Sequence, residues 1–422
     1  LHSFDPKFSV KNTNLNAFPT NKRKLFNDPV HGFIRIADDF LFDLIEHPYF
    51  QRLRRITQLG LSNTVYPGAN HTRFHHALGA MHLMDRGISI LRQKGVEITD
   101  DERMGALCAI LLHDIGHGPF SHALERSVIP TSHEAVSLRI MEALNEAFSG
   151  RLEVAISLFK GTYKKKFLCE MISSQLDMDR MDYLRRDSFY TGVSEGAVNT
   201  SRLLEMLHVA NDHLVVEYKG VYSIEKFLVA RKLMYWQVYL HKAVLVAETL
   251  IVHVLQRAKE VGEDAAQLVT PVLAYFLREK RTLESPEFLN MFTKLDDHDV
   301  WAAIKNWAYF SQDHTLRNLS LRLLNRRLMR IELHDAPVLE QELELMRSRV
   351  MELLDLKRDE ASFFVYTGQV SNAIYRTDNA PIYLIQKDGV VVDYAQTPEY
   401  RNSIPISANS DKYFLIYPKD LL

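Results

Sequence analysis

An apolar run, Gly105-Ala-Leu-Cys-Ala-Ile-Leu-Leu112, leads directly into His113-Asp-Ile-Gly-His117, and no other stretch constrains the fold as strongly. The run predicts a buried helix over 100–113. A histidine and an aspartate at the buried end of such a helix are costly to leave unpaired. A metal ion removes that cost, because neutral imidazole and ionised carboxylate are both good ligands. His117 comes one turn on and is expected on nearly the same helix face as His113. Gly116, Gly118 and Pro119 then stop the helix and set the pair beside open space. Eight of the 18 histidines fall between 71 and 133. Of these, His71, His75 and His82 read as ordinary hydrogen-bonded residues. His76, His113-Asp114, His117, His122 and His133 read as a site.

The 422 residues leave room for one large core and a smaller lobe or two. Apolar content of 46% and charged content of 25% exclude a disordered chain. A net charge of -2 gives no reason to expect nucleic-acid or membrane binding. Cys108 and Cys169 lie in apolar helical stretches and read as core residues in a reducing compartment. The best membrane-spanning candidate, Ala243 to Leu255, is broken by Glu248 and His253. Together these features read as a cytoplasmic protein without a membrane partner.

Residues 1–24 are polar and aperiodic and read as an arm. Asn27 to Ile36 reads as a turn leading into a strand, and 38–59 as helical. A loop over 66–71 precedes two amphipathic helices at 74–94 and 100–113. Ser132 reads as the cap of a further helix, with Glu134 in its first turn. Leu214 to Ile224 reads as a β-hairpin turning at Lys219-Gly220, and 225–258 as helical. From about 260 short helices run to Asp355. Strands are then expected at Phe363–Tyr366, Ile382–Ile385, Val390–Tyr394 and Tyr413–Tyr417, with Lys387-Asp-Gly389 as a hairpin turn. Lys164–Lys166 reads as a solvated loop, and Arg326, Arg327 and Arg330 as a solvated helix face. The predicted fold is mostly α, with a helical core over 25–258 and a small α+β lobe over 259–422.

Gln175 to Asp187 places four aspartates, at 177, 179, 182 and 187, in a register otherwise filled by Leu176, Met178, Met181 and Leu184. Such a helix turns its polar face either to solvent, with local pairs such as Asp182–Arg186, or into a site. With the histidines upstream, one of these aspartates is favoured as a metal ligand. Two His and two Asp suit Mn, Fe, Ni, Co or Zn, whereas Mg prefers an all-oxygen set. Arg73, Arg180 and Arg231 are candidates to hold a polyphosphate.

His76, His113-Asp114 and Asp179 resemble the H…HD…D signature of the HD-domain phosphohydrolases. The match narrows over Asp28-Pro-Val-His-Gly32, Phe50-Gln-Arg-Leu-Arg54, Gln58-Leu-Gly60, Tyr66-Pro-Gly-Ala69, Arg73-Phe-His-His76, His113 to His122 and Asp177 to Asp187. This ordered set, covering roughly 24–255, resembles the deoxynucleoside triphosphate triphosphohydrolases. No segment resembles the SAM module that some members carry. The resemblance implies an HD-domain helical core and cleavage of a dNTP into deoxynucleoside and tripolyphosphate. It assigns His76, His113, Asp114 and Asp179 to one divalent metal, and leaves room for a second Mg on the substrate phosphates. Arg73, His117, Arg180, Tyr183 and Arg231 would contact phosphates. His122 would be the general acid, supported by His133 and Glu125. Asp187 would bind the sugar 3′ hydroxyl, Gln58 and Leu59 would crowd the 2′ position, and Tyr239 would stack near the base or sugar. Lys24, Glu46, Gln51 and Arg54 match parts of a site for an activating guanine nucleotide. Arg180 and Glu46 depart from the relative, which has Lys and Asp there. The expected partners are a dNTP, an activating nucleotide and further copies of the chain, as a dimer or tetramer.

Two other readings remain open from the residues. One is another HD phosphohydrolase, either a nucleotide phosphomonoesterase or an alarmone hydrolase. The other is a nucleotide sensor with a vestigial site. The sugar-reading set argues against the first, and the complete ligand set against the second.

Overall fold

The computed structural model describes residues 24–36, 38–370, 381–402 and 412–421; within the helix that follows Phe120, the side chains of Ser121, His122 and Arg126 lie outside the description. The expected N-terminal arm therefore falls outside it, except for Lys24. Among the described residues the fold is mostly helical, with three small sheets.

Two strands come first among the described residues, β1 (Lys24–Asp28) and β2 (Gly32–Ile36), paired antiparallel. Asp28 closes their turn by accepting from the Val30 and His31 amides. The helix expected over 38–59 is broken. It runs Asp39–Glu46, restarts at Pro48–Gln51 and tightens into a 3-10 turn at Arg52–Arg55. Pro48 is the cause, since it forces His47 out of the helical region.

Helix α1 (Arg73–Gln93) follows and is buried on most sides, so it forms the axis of the core. Helix α2 (Asp100–Leu112) packs against it. A capping box starts α2: Glu102 accepts from the Thr99 amide and Thr99 from the Glu102 amide. Residues Gly105 to Leu112 are all buried. Burying Leu107, Ile110, Leu111 and Leu112 contributes roughly 1.5–3 kcal/mol each, which offsets the cost of carrying a polar pentad inside. The α-helix ends at Leu112, and His113 to Gly116 form a turn, so His117 is not on the α2 helix face. Beyond it come α3 (Ser121–Ser127) and α4 (His133–Ala147), the latter capped by Ser132 as expected. Helix α5 (Met178–Thr191) then packs against α1.

The hairpin expected at 214–224 lies elsewhere. It joins β3 (Leu207–Ala210) to β4 (His213–Glu217), and its turn is Asn211-Asp212, both in the left-handed region. Two such residues make the tight turn that matches strand twist. After a short 3-10 turn at Tyr218–Gly220, helix α6 (Val221–Met234) begins. Val221, Ile224, Phe227 and Leu228 are its buried face, a 3–4 spacing that the strand reading overlooked. The helix expected over 225–258 is also interrupted. Residues Tyr235–Tyr239 form a π turn, and α7 (Lys242–Val261) restarts after it.

In the C-terminal half, α8 (Asp297–Phe310) is the element that matters for the site. Arg326, Arg327 and Arg330 are not a helix face. They follow the helix His314–Leu324, and Arg330 opens β5 (Arg330–His334). Helix α9 (Glu340–Leu354) is followed by β6 (Tyr366–Val370), which starts where the expected strand Phe363–Tyr366 was to end. Strands β7 (Tyr383–Ile385) and β8 (Val391–Asp393) pair antiparallel around Lys387–Gly389 as expected. β9 (Lys412–Tyr417) lies between β5 and β6. β7 also pairs in parallel with β4, so main-chain bonds tie the C-terminal half to the hairpin beside α6. Cys108 and Cys169 are both free thiols. No single described helix is long and apolar enough to cross a membrane.

Candidate metal centre and adjoining cleft

Three elements converge at the pentad. The first turn of α1 supplies Arg73 and His76, the turn after α2 supplies His113 and Asp114, and the first turn of α5 supplies Asp179. Nε2 of His76 lies 3.3 Å from Nε2 of His113 and 3.0 Å from Asp179 Oδ1. Asp114 approaches the same point, 3.3 Å from His113 Nε2 and 3.9 Å from His76 Nε2. The four side chains expected as ligands are therefore brought together.

The opposite ring nitrogens fix what these atoms can do. Nδ1 of His113 faces the Ile110 carbonyl at 2.7 Å, which only accepts, so Nδ1 carries the proton. Nδ1 of His76 donates to Asp182 Oδ2 at 2.8 Å. In the neutral rings both Nε2 lone pairs then point at each other across 3.3 Å, with two carboxylates beside them. Only a positive charge at that point makes the arrangement favourable, so the donor set fits a divalent cation. The charges agree. Burial alone would lower the His76 pKa, yet Asp179 and Asp182 hold it up to about 10. Burial would raise Asp114, yet His113, His117 and Arg73 hold it well below the usual carboxylate range.

Behind the centre stands a second layer that the sequence reading only partly anticipated. Asp182 is fully buried and accepts four bonds, from His31 Nε2, His76 Nδ1, Arg186 Nε and Arg186 Nη2. Arg186 in turn reaches Asp28 at 2.7 Å. The predicted pair Asp182–Arg186 is thus present, but it faces the core and orients His76. Gly79 of α1 makes room for it. A Cβ there would meet Asp182 Oδ1 at 2.0 Å and Arg186 Nη2 at 2.2 Å. Gly116 plays the matching part in the pentad, where a Cβ would meet the Ser137 amide of α4 at 2.2 Å. Ser137 Oγ donates to the His113 carbonyl and accepts from the Gly116 amide, locking the turn. Asp177 caps α5 and pairs with Arg180.

A cleft of about 440 Å³ adjoins the centre. Gln58, Leu59, Arg73, Tyr183, Asp187 and Tyr239 line it, together with Tyr235, Phe120 and Glu248, which sequence reasoning missed. Tyr235 and Tyr239 lie four residues apart in the π turn and both reach the wall, so their shared helical face was the signal that could have found Tyr235. Asp187 is held by His71 Nε2 at 2.8 Å and by Tyr239 Oη at 2.7 Å. Arg73 links cleft and centre through a 2.5 Å bond to Asp114. Arg180 and Arg231 act electrostatically on Tyr183, which burial pushes above the usual tyrosine range. Nε and Nη1 of Arg231 are buried with no hydrogen-bond partner among the described residues. Gln58 Oε1 is likewise buried and unpartnered there.

Next to Asp114, His117 lies 3.2 Å away and its ring stacks on His133 with centroids 3.8 Å apart. Burial and Arg73 push the His117 pKa down to about 3, so it is neutral near pH 7. His133 Nδ1 donates to Glu125 at 3.0 Å. The His122 side chain lies outside the described residues. His75 takes the ordinary role expected of it and caps α1 through Thr72. His82 packs on His31, and burial lowers its pKa to about 4. Away from the cleft lining, Lys24 pairs with Glu46 at 3.6 Å, Arg54 donates to Gln51 at 2.8 Å, and Glu46 acts electrostatically on Arg54. The four residues expected to hold a regulatory nucleotide thus form one exposed group.

Comparison with known proteins agrees with this geometry. The HD domain matches residues 73–187, and the HD associated region matches 198–272. The protein YwfO of Bacillus subtilis is 33% identical over 429 residues, covering 96% of this chain and 95% of its own. The deoxynucleoside triphosphate triphosphohydrolase SAMHD1 homolog of Dictyostelium discoideum is 31% identical over 289 residues, 63% of this chain. The chain spans 56% of that relative's length. The crystal structure of a phosphohydrolase from Bacteroides thetaiotaomicron superposes with a TM-score of 0.89 at 45% identity, over 94% of this chain and 99% of that one. The chain belongs to the HD-domain phosphohydrolase family, with an HD domain followed by its HD associated region.

Proposed function

We propose that the protein hydrolyses deoxynucleoside triphosphates between the sugar 5′ oxygen and the α-phosphorus, releasing deoxynucleoside and tripolyphosphate. One observation carries this reading: a four-residue His/Asp centre is joined through Arg73 to a cleft lined by Gln58, Leu59, Tyr183 and Asp187, and Arg231, which acts electrostatically on Tyr183, keeps two buried N–H groups unpartnered among the described residues. Buried cationic N–H groups of this kind are a triphosphate's partners. His76, His113, Asp114 and Asp179 would hold the divalent ion. When bound, it would supply Lewis-acid polarisation of a phosphoryl oxygen.

The remaining residues bind and orient. Arg73, Arg180 and Arg231 neutralise the phosphate charge, and Tyr183 donates a hydrogen bond to it. Asp187, steadied by His71 and Tyr239, accepts from the 3′ hydroxyl. Gln58 and Leu59 close the wall against a 2′ hydroxyl. His117 is neutral, and the one N–H that it directs at Asp114 would have to turn to a phosphate oxygen to make its contact there. His122 would protonate the leaving 5′ oxygen, with His133 held by Glu125 as its supporting pair. Lys24, Glu46, Gln51 and Arg54 would take an activating guanine nucleotide, Glu46 accepting from the base N–H groups.

The test is turnover of each dNTP and NTP with Mn²⁺, Mg²⁺, Fe²⁺ or Co²⁺, products being separated by ion exchange, with and without added GTP. Tripolyphosphate and deoxynucleoside, absent in Asp114→Ala, are the expected products. Orthophosphate would instead make the protein a different phosphohydrolase, and insensitivity to GTP and dGTP would remove the activator from the proposal.

A further inference from the structure

The cleft wall Thr57–Leu59 is held from two sides. On one side it is pinned to the start of α1. Thr57 bridges Thr72, the Gln58 amide donates to the His71 carbonyl, and the Arg73 amide donates to the Ile56 carbonyl. On the other side the support comes from 240 residues away. Asp297, the first residue of α8, accepts from both the Thr57 amide at 2.9 Å and the Thr57 hydroxyl at 2.7 Å through Oδ2. Asp297 is 4% exposed and does not line the cleft.

The same corner of the C-terminal half also reaches the metal turn. Arg52 is wholly buried and spends its guanidinium on three carbonyls, those of Leu295, Ile115 and His117. Arg55 closes the corner by pairing with Asp296 at 2.5 Å. Residues Leu295 to Asp297 therefore hold the wall that carries Gln58 and Leu59 directly, and reach the turn that carries Asp114 through Arg52.

A buried carboxylate is a costly fastener. Oδ1 of Asp297 has no hydrogen-bond partner among the described residues, and apolar packing would hold a loop at lower cost. What the carboxylate adds is direction, because two donors of one residue fix both the position and the rotation of the wall. We infer that Asp297 is a positioning residue for sugar discrimination: it sets the distance between the Thr57–Leu59 wall and the metal turn, and so how tightly the wall closes on the 2′ position. The inference rests on the functional reading above.

The experiment measures kcat and KM for a dNTP and for the NTP of the same base, on the full chain with Mn²⁺, together with bound metal and thermal midpoint. Asp297→Ala and Thr57→Val each loosen the wall, whereas Thr57→Ser keeps the hydroxyl and serves as the rescue. A displacement of about 1 Å is worth up to about a hundredfold in rate. The ratio of kcat/KM between dNTP and NTP is expected to fall about tenfold or more in Asp297→Ala, mainly through a lower KM for the NTP. Thr57→Val should fall in the same direction, Thr57→Ser should match the wild type, and bound metal should stay constant. An unchanged ratio in Asp297→Ala, or a loss of kcat and bound metal together, would overturn the inference. If Asp297→Ala does not fold, the Thr57→Val and Thr57→Ser pair decides by the same ratio. A wild-type protein that cleaves NTPs as well as dNTPs overturns the functional reading itself, and this shows before any variant is made.

Discussion

Replacing Asp182 by asparagine changes little in shape and removes one charge from the most connected side chain behind the metal centre. Each carboxylate oxygen takes two donors: Oδ1 from His31 and Arg186 Nη2, Oδ2 from His76 and Arg186 Nε. An asparagine has one accepting oxygen, so in either orientation its NH₂ meets two N–H donors. Two charge-assisted bonds are lost, at about 1.5–3 kcal/mol each, and the Arg186 charge keeps only its Asp28 partner. A loss of roughly 3–5 kcal/mol is expected, the usual cost of breaking a buried ion pair from one side. The second consequence is specific to the site. The carboxylate fixes the proton on His76 Nδ1 and aims Nε2 at the metal position, and removing such a partner costs roughly 10–100-fold in metal affinity. Urea midpoints give the stability, and calorimetric titration with Mn²⁺ gives the affinity. Wild-type Mn²⁺ affinity in a folded Asp182→Asn protein would refute the reasoning, because the orientation of His76 would then be independent of Asp182.

Gly79→Ala places its methyl within 2.0 Å of Asp182 Oδ1, so α1 and α5 must separate. It should lower stability by about 1–3 kcal/mol or more and reduce bound metal with it, read by denaturation and by metal content. Arg231→Met should raise the KM for a triphosphate about tenfold, since an Arg–phosphate contact is charge-assisted. Because Arg231 Nε and Nη1 are buried without partners, the same change should leave the thermal midpoint equal to or above that of the wild type; a lower midpoint would contradict the unpartnered reading. Burial alone would raise the Glu102 pKa, but hydrogen bonds from Lys165, Thr99 and Tyr163 hold it below its ordinary value. A carboxylate so depressed stabilises the fold above its unfolded pKa and loses that contribution as pH falls through the folded one. Glu102→Gln should therefore unfold at lower urea than the wild type at pH 7, with the gap closing below about pH 4; a gap independent of pH would exclude the charge as its cause.

Sequence made the centre legible where chemistry dictates residue type. A pentad at the end of an apolar helix, an upstream His76 and an aspartate-rich helix are enough to bring four side chains to one point. The same logic separated His75 and His82 from the site, since neither approaches the metal position. Elements failed where two periodicities compete. Val221 to Ile224 reads as the end of a hairpin, and only the 3–4 spacing that continues through Phe227 and Leu228 shows that the helix already begins there. Long-range partners were not legible at all. Asp297 lies 240 residues from Thr57, Ser137 carries no motif, and Arg52 binds only carbonyls, which have no sequence signature. Tyr235 was within reach of the sequence, since it lies four residues before Tyr239 and shares its helix face, but it belongs to no motif that singles it out.

The central claim is that this centre directs water to the α-phosphorus of a dNTP. The most direct test is ³¹P NMR of dNTP turnover in H₂¹⁸O with Mn²⁺-loaded protein, the metal being removed before the spectrum is taken. The expected result is a single phosphorus product, tripolyphosphate, with the ¹⁸O isotope shift on one terminal phosphorus. Orthophosphate or pyrophosphate among the products would contradict the claim, and so would tripolyphosphate without that shift, which would place the water on the sugar carbon instead.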